Sequence, residues 1–190
     1  MIDITFLSFE IYTRIFNHLD INDLMNLYQV NFFKEIVRSY IEQKDIKNIL
    51  LNCVYNENIS HLKILFSWNI PLTLSIKGTI NLLSSDDLNV FGLITKSYSL
   101  FTYAVLHNKL KTIKFMLEYQ DNLIKFSKKK YTKSTIYNIE ETFFYNSWEA
   151  MYQKEYKKFI TPLDISILKN NKNVIKLLES YNCRKTLEYN

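Results

Sequence analysis

The stretch Thr161-Pro-Leu-Asp-Ile-Ser166-Ile-Leu-Lys-Asn170-Asn-Lys-Asn-Val-Ile175-Lys-Leu-Leu-Glu-Ser-Tyr181 lies without a gap over Ser99-Leu-Phe-Thr-Tyr-Ala104-Val-Leu-His-Asn108-Lys-Leu-Lys-Thr-Ile113-Lys-Phe-Met-Leu-Glu-Tyr119. Each reads as helix–turn–helix. A weaker third copy runs from Ile49 through Cys53 and Leu62-Lys63-Ile64-Leu65 to Trp68-Asn69. Self-similarity of this kind decides the architecture, because each unit leaves an apolar face that only its neighbour can bury. The expected fold is all-α: a stack of helix pairs that offers a surface to another protein and no pocket for chemistry.

Local chemistry agrees in the last copy. Thr161 is placed to cap a helix, Pro162 fits the first helical position, where its missing N–H costs nothing, and Asp164 stands at capping-box spacing. Ser166 and Ile167 are expected to face inward, the small residue letting two helices approach. Val174, Ile175, Leu177 and Leu178 form the expected buried stripe of the second helix, and Asn182 offers a left-handed stop. The middle copy repeats this with Ser99, Ala104, Ile113, Phe115, Met116 and Gln120, and the first with Cys53, Leu62, Ile64, Leu65 and Asn69.

These residues resemble the ankyrin repeat, whose pattern is Thr-Pro-Leu-His-x-Ala … Val-Val-x-Leu-Leu-x-x-Gly-Ala. Thr161-Pro162-Leu163-Asp164 is the most specific match, with Asp164 in place of the family His, and Asn182-Cys183 stands for Gly-Ala. Repeats are expected at about 49–70, 97–122 and 160–184, within a repeat region covering 43–190. Equivalent residues Leu62, Ile113 and Ile175 are 51 and 62 residues apart, against about 33 in the family. The extra chain falls at 71–96 and 123–158, as insertions in the connecting fingers. In the second insertion Phe144, Trp148, Tyr152 and Tyr156 step by four, with Phe143, Met151 and Phe159 alongside, which predicts an amphipathic helix. That helix is either a degenerate fourth repeat packed on its neighbours or an aromatic contact surface.

Residues 1–42 carry a separate helical pattern. Ile11, Ile15, Phe16 and Leu19 recur at helical spacing. Asp20 can cap the next helix, with Asp23 in its first turn. Leu24, Leu27 and Tyr28 continue the stripe, and Phe32, Phe33, Ile36, Val37 and Tyr40 supply a third face. Three helices this short cannot enclose a large core alone, so part of their apolar surface wants a partner.

This module resembles an F-box. Leu7-Ser8-Phe9-Glu10-Ile11, Ile15-Phe16, Leu19-Asp20, Asp23-Leu24, Leu27 and Val30 stand at the family's spacings. Ser8 replaces the usual Pro, Asn31 the frequent Cys, and the expected Trp is absent, with Phe33 one position early. The resemblance implies docking on the Skp-type adaptor of a cullin–RING ubiquitin ligase through Leu7, Glu10, Ile11, Ile15, Phe16, Leu19, Leu24, Leu27 and Val30. The alternative is a helical cap on a plain interaction scaffold. F-box modules joined to ankyrin repeats look like products of large DNA viruses and intracellular bacteria acting on host ubiquitination, which implies the host cytoplasm.

Composition bounds the remaining classes. With 47% hydrophobic and 23% charged residues the chain can bury a core. Two Gly and two Pro are too few for a turn-rich barrel, so Asn and Asp are expected to take left-handed positions. Cys53 and Cys183 form neither a disulfide framework nor a metal pattern and read as inert core thiols. No apolar run approaches a membrane span, and a reducing, cytoplasmic compartment is the default. The net charge of +5 is modest. Lys125, Lys128, Lys129, Lys130 and Lys133 read as a solvated loop, so nucleic acid is not expected as a partner. His18, His61 and His107 form no ligand pair, Gly78 and Gly92 cannot build a phosphate loop, and adjacent Glu140 and Glu141 point about 100° apart on a helix. No catalytic activity, metal or cofactor is expected; the target protein is left open.

Overall fold

A computed structural model describes residues 7–44, 46–68, 70, 75–82, 92–126, 141–146 and 157–186. The chain divides into two compact units, Met1–Asn52 and Cys53–Asn190. It is mostly helical.

The first unit begins with α1 (Phe9–Phe16), α2 (Ile21–Tyr28) and α3 (Lys34–Glu42). Asp20 caps α2 by accepting the Asp23 N–H at 2.8 Å, as its position in the sequence predicts. The core is Tyr12, Phe16, Leu24, Met25, Tyr28, Val37, Tyr40 and Ile41. Phe16 meets Tyr40 edge-on at 5.3 Å, a geometry that sets a positive ring edge against a negative face. The Tyr40 hydroxyl and the Lys44 ammonium both donate to Asn17 Oδ1, at 2.8 and 2.9 Å, and tie the end of α1 to α3 and the turn after it. Helix α4 (Ile46–Tyr55) follows.

In the second unit the helices come as pairs. The C-terminal end of α4 turns into α5 (Ile59–Ser67), α6 (Leu100–Leu106) into α7 (Leu110–Phe126), and α8 (Pro162–Leu168) into α9 (Lys172–Ser180). Helix α6 packs on α8, while α7 packs on both α5 and α9. The three turns are the same object. Glu57, Asn108 and Asn170 hold φ of 52°, 53° and 52°. The N–H after each reaches back to Cys53, Ala104 and Ser166 carbonyls, at 2.9 Å in every case. This is the Schellman closure, which satisfies carbonyls at a helix end only if one residue turns left-handed. Asn182, at φ 54°, ends α9 in the same way, with the Cys183 N–H on the Leu178 carbonyl at 3.1 Å. Asn thus does the work of the missing glycines in three of these four places.

Equivalent side chains fill equivalent space. The small residues Cys53, Ala104 and Ser166 are all buried, as are Leu65, Met116 and Leu178. Inside the last pair, Val174 and Leu178 are buried while Ile175 and Leu177 are only half-buried, and Ile165 rather than Ile167 faces inward. With no further pair beyond α9 among the described residues, that helix has one packed side. In the middle pair, the helix expected to stop near Gln120 continues to Phe126, with Gln120 buried inside it. Gln is a good helix former and, unlike Asn, has no short side chain to support a left-handed stop.

The insertions hold strands. β1 (Ser75–Leu82), β2 (Gly92–Ser99), β3 (Glu141–Asn146) and β4 (Lys157–Ile160) form one antiparallel sheet in chain order. Ile76 pairs with Tyr98, Leu93 with Tyr145, and Phe143 with Lys158, and a bulge lies between Lys77 and Ile80. The all-α expectation omitted this sheet. Of the amphipathic helix expected across 143–159, residues 143–146 and 157–159 are strand instead, in β3 and β4, and 147–156, with Trp148, Tyr152 and Tyr156, lie outside the described residues. Thr142-Phe143-Phe144-Tyr145 is rich in strand-favouring side chains, and pairing with β2 satisfies its backbone. The lysines at 128–133 also lie outside the described residues.

Strands β2 and β4 run directly into α6 and α8. Ser99 caps α6 by accepting the Thr102 N–H at 3.1 Å, and Thr161 caps α8 in a full capping box with Asp164. Each pair of strands is therefore anchored to the first helix of a pair by a capped junction.

Candidate protein-interaction surfaces

In the first unit, helix α1 carries two apolar stripes. Tyr12 and Phe16 face the core, while Ile11 and Ile15, about 100° round the helix, remain 42% and 45% exposed. Both stripes have i, i+4 spacing, so periodicity alone does not tell inside from outside. Phe16 and Leu24, expected among the contact residues, are core residues and have no surface to offer. Leu7, Leu19 and Leu27 are half-buried, Glu10 is exposed, and Val30, in the turn between α2 and α3, is 50% exposed. Tyr12 was not singled out by the sequence reading; its ring lies edge-on to Phe33 at 6.1 Å, in the neighbourhood where the F-box pattern places a Trp.

In the second unit a run of rings crosses the first helices of the pairs. Tyr98 at the end of β2 stacks on Tyr103 of α6, 6.1 Å between centroids and 10° from parallel. Tyr103 lies 4.3 Å from the His107 ring, and His107 meets Tyr55 edge-on at 5.6 Å. The Lys109 ammonium sits 4.0 Å over the Tyr55 ring, within cation–π range. The hydroxyls of Tyr55, Tyr98 and Tyr103 make no hydrogen bond among the described residues, and none is sealed from solvent. Burial raises the Tyr103 phenol pKa, and the neighbouring Tyr98 and Tyr55 phenols raise it further. Burial first, then Lys109 and Lys169, lower that of His107. The lowered His107 pKa keeps its imidazole neutral at neutral pH. The Glu57 carboxylate, two residues from Tyr55, accepts the Lys111 backbone N–H.

On the second helices, a shallow open groove of about 390 Å³ lies between α5 and α7, lined by Ile59, Lys63, Lys111, Lys114, Phe115 and Glu118. Lys114 and Glu118 face each other at 3.8 Å across one helical turn. Both groups are exposed, and such a pair contributes little to stability.

The two cysteines lie inside the packing. Burial pushes the Cys53 thiol to about 11 and the Cys183 thiol to about 12, so neither is a thiolate at neutral pH. No group of His, Cys, Asp and Glu able to hold a metal occurs among the described residues, and no described helix is long and apolar enough to cross a membrane. No family model, no curated protein and no solved structure matches this chain.

Proposed function

We propose that this chain is a non-catalytic substrate-receptor adaptor, an F-box-like module followed by three divergent ankyrin-like helix pairs with strand-forming fingers. The first unit would hold a Skp-type adaptor of a cullin–RING ubiquitin ligase, and the repeats a target protein. Ubiquitin transfer then gains from proximity, because a tethered target meets the charged enzyme at high effective concentration.

The observation that carries the reading is the outward stripe of α1. Ile11 and Ile15 stay partly exposed on a helix whose adjacent stripe already supplies the core, and burying what remains exposed of each against a partner is worth about 1 kcal/mol. Leu7, Glu10, Leu19, Leu27 and Val30 are the further contact residues; Phe16 and Leu24 support them from within.

Co-purification with a Skp-type adaptor tests this. The expected result is a stable complex that Ile11→Glu with Ile15→Glu abolishes, while circular dichroism and melting temperature stay unchanged. A wild-type chain that leaves the adaptor unbound at micromolar concentration overturns it, and the chain is then an interaction scaffold without ligase recruitment.

A further inference from the structure

We draw no further inference here: the strongest candidate, the shallow groove between α5 and α7 with Ile59 and Phe115 among its lining, has its lysines matched by carboxylates at Glu118 and Glu57, so nothing in the structure shows what covers it.

Discussion

Glu57 Oε1 accepts the backbone N–H of Lys111 at 2.8 Å, so the turn residue of one helix pair caps the second helix of the next. Lys111 lies in the first turn of α7, where N–H groups lack intrahelical partners and a carboxylate is favoured by the helix dipole. This explains a Glu at φ 52°, a position where its sister residues are Asn. The cap is worth about 1 kcal/mol, and a non-Gly residue held left-handed costs about as much. Glu57→Ala keeps the strain and loses the cap, and is expected to destabilise by about 1 kcal/mol in urea titration. Glu57→Gly loses both and should lie within about 0.5 kcal/mol of the parent. Equal losses in the two variants would show that the cap alone matters.

Thr112 is the mismatched position of the stack. Its hydroxyl is buried without a hydrogen-bond partner, and the equivalent residue of the last pair is the buried Val174. Desolvating a hydroxyl without a compensating bond costs about 1–3 kcal/mol. Thr112→Val has nearly the same shape and the same β-branched helix propensity. It is expected to raise the midpoint of thermal unfolding, with a gain of about 1 kcal/mol; a loss of stability would mean the hydroxyl is satisfied in solution.

The repeat frame carried the helix pairs because it recorded two things that are local in sequence: small residues at Cys53, Ala104 and Ser166, and the apolar spacing of the second helices; Asn108, Asn170 and Asn182 fit the expectation that Asn turns left-handed, while Glu57 was not foreseen. The caps at Asp20, Ser99 and Thr161 were legible for the same reason. The sheet was not, since β2 and β3 are far apart in the chain and their pairing depends on which fingers the stack places side by side. Phe143 and Phe144 satisfy a helical stripe and a strand equally well until a partner strand is known. On α1, two stripes with identical spacing concealed which one is core. The run of rings from Tyr98 to Tyr55 draws on two helix pairs, so no single motif contains it.

Asp164 joins the start of α8 to the segment after α9. Its buried carboxylate accepts the Thr161 N–H at 2.9 Å and hydroxyl at 2.8 Å, and the Thr186 N–H at 3.1 Å and hydroxyl at 2.6 Å. Hydrogen bonds to a charged group contribute more than neutral ones. Asp164→Ala, which strands Thr161 and Thr186 donors, should cost about 3 kcal/mol in urea titration. Thr186→Val should cost about 1 kcal/mol and speed hydrogen exchange in residues 181–186 selectively. Uniform exchange along the chain would argue against a separate clamp.

The buried thiols give a readout of stack integrity. With Cys53 at about 11 and Cys183 at about 12, less than about one part in a hundred of either is thiolate at pH 8. The lining that raises them also blocks access. The folded chain is therefore expected to react with a thiol reagent at pH 8 at least about a hundredfold more slowly than in urea, by mass spectrometry. The two sites should also separate. Cys183 sits just past the left-handed stop of α9, at the end of the described packing, and Cys53 lies in the last turn of α4, at the start of the second unit. If terminal opening precedes global unfolding, low urea should expose Cys183 first, and Thr186→Val should advance that exposure without changing Cys53. Simultaneous labelling of both at every urea concentration would instead mean that the three helix pairs unfold as one.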